Sequence, residues 1–286
     1  MAKILSGKEV AAHLTDELSE RARVLREKGT EPCLAVIRVG ERADDLAYER
    51  GLTKRAEKTG VTVEKYVFPA DVSFDELAAA MEKINLDEKI HGVLMLRPLP
   101  KHLDEEKLRN MLTPRKDVDG ITDISMAGVF SGKAKGYPPC TAKACMKMLE
   151  YYGIEPAGSR AVVIGRSQVI GRPAALMLLQ KNATVTICHT KTKNTAQLCR
   201  EADIIIASAG VPRLLTKEYL SAGQTVLDVG IHMGEDGKMC GDVDFEAAEP
   251  LVQAISPVPG GVGAITTVVL MEHVLDAAEK ACRQRD

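Results

Sequence analysis

Two stretches of the chain carry residue types suited to holding a phosphorylated nucleotide. Residues 161–173, Ala-Val-Val-Ile-Gly-Arg-Ser-Gln-Val-Ile-Gly-Arg-Pro, run from an apolar β-branched segment through a glycine turn into a helical pattern beginning near Pro173. A strand, a loop and a helix N-terminus in that order present free backbone N–H groups to an anion, with Gly165, Arg166 and Ser167 nearest a pyrophosphate. Gly165 and Gly171 do not make the dinucleotide fingerprint G-x-G-x-x-G, and the spacing alone is a weak signal. About 20 residues after Gly165, where a nucleotide-binding βαβ unit places the group that reads the adenosine ribose, the chain has His189-Thr190-Lys191-Thr192-Lys193. An acidic residue there would accept hydrogen bonds from a free 2′-hydroxyl, whereas Thr190, Lys191 and Arg166 offer the donors and positive charge that suit a 2′-phosphate. The competing reading is a βαβ unit packed for stability, with ordinary surface lysines.

The elements that would position these residues alternate in type. Apolar periodicity predicts a helix over 7–28, a strand over 33–39, a helix over 45–59 closed by Gly60, a strand over 61–68, and a helix running to about residue 84 that Ser73 caps with Glu76 in the capping-box position. A third strand over 90–96 opens into Arg97-Pro98-Leu99-Pro100, and a short helix near 104–111 leads to Lys116-Asp-Val-Asp-Gly120. Strand, helix, strand, helix, strand at this spacing implies a parallel sheet, whose strand carboxyl ends are where such sheets bind ligands. Residues 128–139, rich in glycine, lysine and proline, read as a domain crossing, followed by a helix over 141–151. After the nucleotide-like stretch come strands over 183–188, 203–207, 225–229 and 251–255. A turn with two prolines and three glycines, Pro257-Val-Pro-Gly-Gly-Val-Gly263, then leads into a helix over 264–283. Such a turn can bring backbone close to a ligand.

At 286 residues two α/β domains are expected. Hydrophobic residues make up 45% and charged residues 27%, and the formal charge of −2 gives no reason to expect a nucleic-acid partner. No apolar run approaches a membrane span, and the N-terminus lacks the apolar core of a signal peptide, so a cytosolic protein is expected. The seven cysteines contain no C-x-x-C pair and the six histidines no metal-spaced cluster, so reduced core thiols and no metal site are expected.

Taken together, Lys116-Asp-Val-Asp-Gly120, Pro139-Cys-Thr141, Gly165-Arg-Ser-x-x-x-Gly171-x-Pro173, Cys188-His189, Asp228-Val-Gly-Ile231, Gly241-Asp-Val243 and Pro257-Val-Pro-Gly-Gly-Val-Gly263 resemble, in order over nearly the whole chain, the methylenetetrahydrofolate dehydrogenase/methenyltetrahydrofolate cyclohydrolase family. The resemblance implies two α/β/α domains joined by long helices. Residues 1–140 with a C-terminal helix 266–286 would form a folate-binding catalytic domain, and residues 141–265 a Rossmann-like NADP-binding domain. It also implies a homodimer, folate in the cleft, Pro259 and Gly260 at the substrate, and Ile231 at the cofactor. In the family the pterin meets a Tyr-x-x-x-Lys helix, a glutamine before Pro-Leu-Pro, and the second aspartate of Lys-Asp-Val-Asp-Gly. Here the tyrosine is Tyr48 and the aspartate Asp119, whose carboxylate can accept from adjacent ring N–H groups.

Two positions depart from the pattern. The lysine falls on Leu52 and the glutamine on Leu96, with lesser departures at Ala142, Ala264 and Ile265. Leu52 is read equally as core packing or as an apolar remodelling of the site. The expectation is an NADP-dependent dehydrogenase with little or no cyclohydrolase activity, passing its product to a separate hydrolase. The alternatives are a bifunctional enzyme drawing on Lys54, Arg55 or Arg97, a folate- or nucleotide-binding protein without activity, and a dehydrogenase acting on another small substrate.

Overall fold

The computed structural model describes residues 1–133, 135–234 and 237–284. The chain forms two α/β units. One comprises His13–Cys140 and the residues from Thr267 on; the other comprises Met1–Ala12 and Thr141–Thr266. The chain passes between them inside the helix Gly7–Glu27 and at the starts of the helices Cys140–Tyr151 and Thr266–Arg283.

The first unit is built on a parallel three-stranded sheet with Cys33–Val39 in the centre, flanked by Thr62–Phe68 and Gly92–Met95. Every residue of Cys33–Val39 is buried, which is how a central parallel strand covered on both faces reads. Leu77, Met81 and Ile84 of the helix Phe74–Leu86 share one buried core with Ile37 and Met95. Ser73 Oγ accepts from the Glu76 amide at 3.2 Å and starts that helix. The helix Ala43–Thr59, which carries Tyr48, stops at Gly60, whose φ of 74° lets its N–H turn back to the Ala56 and Glu57 carbonyls. A helix at Asp123–Ser131, capped by Thr122, occupies part of the stretch read as a crossing. Its apolar residues are spread around its circumference, so they show no helical period.

The second unit holds a six-stranded parallel sheet in the order Lys3–Ile4, Ala254–Ile255, Thr225–Asp228, Ile204–Ala207, Arg160–Ile164, Thr184–Cys188. The sequence assigned residues 1–140 to the first unit. Lys3 and Ile4 instead pair with Ala254 and Ile255 at the edge of this second sheet. A two-residue strand has too little apolar pattern to announce its partner. No helix among the described residues is long and apolar enough to cross a membrane.

Candidate active site

The Lys116–Gly120 motif is a loop fastened at both ends. Lys116 Nζ donates to the carbonyls of Ile84 and Asp87, each at 2.6 Å, closing the C-terminal end of the helix Phe74–Leu86. Asp117 is fully buried and accepts from the amides of Ile121 and Thr122 at 3.0 and 2.8 Å and from the hydroxyls of Thr122 and Ser125 at 2.7 and 2.5 Å. Gly120 has a φ of 70°, and a Cβ there would lie 2.5 Å from the Pro139 nitrogen. These anchors leave Asp119 facing a cavity of about 530 Å³ lined also by Tyr48, Leu94–Pro98, Arg42, Asp44 and Asp45. The structure thus brings Tyr48, Leu96 and Asp119 together in one unit.

Electrostatically this cavity is poised. Burial pushes the Asp119 carboxyl up to about 6, opposed by the Arg97 guanidinium, and Asp117 adds to the rise. The Tyr48 phenol is also pushed up, by loss of water around its hydroxyl first and then by the charge of Asp119, so phenolate is scarcer than usual at neutral pH. Behind Tyr48 on the same helix, Glu49 is buried between Arg38 at 2.9 Å and Lys65 at 2.8 Å. Burial alone would raise the Glu49 carboxyl, but Lys65 and Arg38 together hold it below the ordinary carboxylate range. This buried network ties the helix to the two strands beneath it, and so sets where Tyr48 sits.

Leu52 lies one helical turn beyond Tyr48 on the same face and is completely buried, outside the cavity lining. Of the three cations considered as substitutes for the family lysine, Lys54 is exposed and Arg55 donates to Thr15 Oγ1 at 2.8 Å. Arg97 lines the cavity beside Leu96. The strand ends at Met95, so the alternation that would send Arg97 to the opposite face no longer applies.

In the other unit, Gly165 follows the strand Arg160–Ile164 with a φ of 118°, and a Cβ there would lie 2.2 Å from the Ser208 carbonyl oxygen. A Cβ at Gly171 would lie 2.3 Å from the Gly165 carbonyl oxygen, which is why a glycine is needed six residues on. The helix starts at Gly171, not near Pro173, with Ser167 Oγ accepting from the Ile170 amide at 3.1 Å. Arg166 and Ser167 are exposed on this loop. On the adjacent strand end, Thr190 and Lys191 are exposed on a tight turn closed by the Thr192 amide to the His189 carbonyl at 2.8 Å.

Ile231, Pro259 and Gly260 meet in a separate cavity of about 280 Å³ in this unit, with Lys8 and Asp228. Asp228 is 3% exposed and accepts from the amides of Asp242, Val243 and Gly230 at 2.9, 2.9 and 3.0 Å. Burial pushes its carboxyl up to about 6 against those amides. Asp242 in turn meets His232 Nε2 at 2.7 Å and accepts from the Gly210 amide at 3.0 Å, holding the loop after Ile204–Ala207. Lys8 and His232 were not singled out in the sequence, and Asp242 entered it only within the motif Gly241-Asp-Val243. An aspartate closing an apolar strand and a second beside Gly241 were the available signals.

Residues 5–119 match the catalytic-domain model, and residues 139–282 the NAD(P)-binding-domain model, of tetrahydrofolate dehydrogenase/cyclohydrolase. The bifunctional protein FolD of Carboxydothermus hydrogenoformans is 48% identical over 281 residues, 98% of each chain. That of Clostridioides difficile is 42% identical, covering 98% of this chain and 96% of the relative. Among solved structures, the bifunctional FolD of Campylobacter jejuni superposes with a TM-score of 0.95 at 38% identity, covering 98% of this chain and 99% of its own. The Trypanosoma brucei enzyme, complexed with NADP cofactor and inhibitor, superposes at 0.91 with 32% identity and 99% coverage of both. Identity at this level across both units, with a matched model for each, means that the chain belongs to the tetrahydrofolate dehydrogenase/cyclohydrolase family.

Proposed function

We propose that this protein oxidises 5,10-methylenetetrahydrofolate to 5,10-methenyltetrahydrofolate with NADP as hydride acceptor, and adds little or no hydrolysis of the product. The unit His13–Cys140 with its C-terminal helix serves as the folate domain, and residues 141–265 as the NADP domain. Asp119 accepts from the pterin N–H groups, and Tyr48 packs on or hydrogen-bonds the folate. The residues present fit an NADP: Gly165 and Gly171 let the strand end and the helix start approach where a Cβ would clash, Arg166 and Ser167 are exposed on the loop between them for the pyrophosphate, and Thr190 and Lys191 are exposed at the adjacent strand end for a 2′-phosphate. Pro259 and Gly260 offer backbone to the substrate and Ile231 an apolar surface to the cofactor. Family resemblance further implies a homodimer.

Bound NADP supplies the hydride acceptor. Loss of hydride from the bridge carbon leaves an amidinium cation and moves no proton, so the chain's residues need chiefly to position the substrate. Hydrolysis asks for more. Water must attack that carbon and release a proton, and a poised acid/base group contributes on the order of 10²–10⁴-fold. The observation that carries this half of the proposal is Leu52, apolar and completely buried where the family places its lysine. Leu96 replaces the supporting glutamine, Tyr48 holds its proton more firmly than a free phenol and so offers less phenolate at neutral pH, and a guanidinium such as Arg97 keeps its proton.

The relatives named bifunctional set the contrast to be tested. Purified protein given methenyltetrahydrofolate should leave its decay at the spontaneous rate, while initial rates with methylenetetrahydrofolate should give a higher kcat/KM with NADP than with NAD. Rapid catalysed decay would overturn the first statement, and an NAD preference the second.

A further inference from the structure

The cavity around Asp119 contains a cation that the family pattern does not supply. Arg97 lines it beside Leu96 and retains a quarter of its side-chain exposure. Among the described residues its ion pair is a long contact, Nη1 to Glu105 Oε1 at 3.5 Å, and the other Glu105 oxygen accepts from the Leu99 amide at 2.9 Å. A guanidinium has five N–H donors in a fixed fork, so most of its donor capacity is left over. The second arginine of the cavity, Arg42, is differently placed. Its Nε and Nη2 are engaged by Asp45 at 2.9 and 2.7 Å, and Nη2 also donates to the Arg97 carbonyl at 3.1 Å.

The edge of a 2-amino-4-oxopterin presents an amino N–H, a ring N–H and a carbonyl oxygen side by side: donor, donor, acceptor. An ionised carboxylate accepts only, and can take the first two. The carbonyl then needs a donor, and an unmet buried carbonyl costs affinity. Leu96 cannot donate, so the departure at that position removes a donor that a glutamine would have offered, and the next residue brings one. Resting on the folate reading above, we propose that Arg97 is a substrate-binding residue, donating to the pterin 4-oxo group while Asp119 accepts from the neighbouring N–H groups. The pair makes the cavity selective for an oxo over an amino substituent at that carbon, because an amino group there would turn its hydrogens toward the guanidinium.

The groups facing Asp119 are Arg97 from the strand exit, Asp117 from its own loop, Cys140 from the start of the helix Cys140–Tyr151, and Tyr48 from the helix Ala43–Thr59. Arg97 is the cation among them, so its removal also raises the pH at which Asp119 gains its proton.

The test uses the full chain and one stable folate analogue prepared in its 2-amino-4-oxo and 2,4-diamino forms, with dissociation constants measured at about pH 8. In Arg97→Leu, and in Arg97→Met should the leucine variant not fold, the ratio of the two constants should move toward the diamino form on the order of ten- to a hundred-fold. Tyr48→Phe should leave the ratio within about threefold, below the loss of one charged hydrogen bond. The acid limb of kcat/KM for the folate should move to higher pH in the Arg97 variants while KM for NADP stays put. An unchanged ratio in the Arg97 variants, or a ratio that collapses only in Tyr48→Phe, overturns the assignment. Failure of the unmodified protein to bind either form would overturn the folate reading itself, and this assignment with it.

Discussion

On the reading proposed above, Asp119 combines recognition with a cost in stability. With its carboxyl pushed up to about 6 by burial, it is ionised at neutral pH and loses its acceptor role as the pH falls through that value. Dehydrogenase kcat/KM should therefore fall on the acid side with a limb near pH 6, and Asp119→Asn should lower it by a factor on the order of 10² or more while removing that limb. The same shift acts on folding. In the unfolded chain the carboxyl titrates at about 4, so the folded protein holds the extra proton between roughly 4 and 6, and this group's contribution to stability is lost as the pH rises through that window. Asp119→Asn should accordingly melt higher than the unmodified protein at pH 8, with the advantage disappearing as the pH falls to about 4. Leu52 and Leu96 make the complementary case. Restoring the family residues as Leu52→Lys with Leu96→Gln should produce hydrolysis of methenyltetrahydrofolate above the spontaneous rate, by up to about 10²–10⁴-fold. It should also lower Tm, since position 52 is fully buried and a lysine there is desolvated. A folded double variant without hydrolysis would show that these two side chains are not what limits it.

At the scale of elements, the cofactor half depends on how closely a helix start approaches a strand end. Gly171 opens the helix Gly171–Gln180 against the Gly165 carbonyl, and the 2.3 Å that a Cβ would find there forces the helix to back away. Gly171→Ala should weaken NADP binding on the order of tenfold with little change in folate affinity, because a misplaced first turn removes backbone donors from the phosphate without touching the other unit. Equilibrium binding of each ligand separates the two effects, and equal losses for both would point to general destabilisation. The folate half depends on a loop fastened by Lys116 and Asp117 on one side and by the tight turn at Gly120 on the other, which leaves the intervening side chain at 119 facing the cavity.

At the scale of the molecule, the chain visits its two units out of order. The first residues add a strand to the sheet of the second unit, and the last helix returns to the first unit, where Val268, Met271, Val274, Leu275 and Ala278 are buried. Removing residues 267–286 should strip that cover while leaving the six-stranded sheet intact. Limited proteolysis of the truncated chain is then expected to cut first within residues 13–140 and to spare 141–266; uniform cleavage of both would show that the units do not fold as separate entities.

What the residues determine by themselves follows from local periodicity and from motifs short in sequence. The alternation of apolar strands with amphipathic helices, the strand Cys33–Val39, the Ser73 cap and the Gly60 stop were all readable, because each depends on neighbours within a turn or two. Two sheets of parallel strands followed from the same spacing. The helix Asp123–Ser131 was hidden because its apolar residues favour no one face, and the pairing of Lys3–Ile4 because its partner is some 250 residues away. Only the tertiary structure decided that Leu52 is completely buried outside the cavity lining while Arg97 lines the Asp119 cavity. Helical spacing orders residues along an axis and strand pleating assigns them to faces, but which neighbour seals a position, and where a strand ends, are set by contacts between segments far apart in the chain.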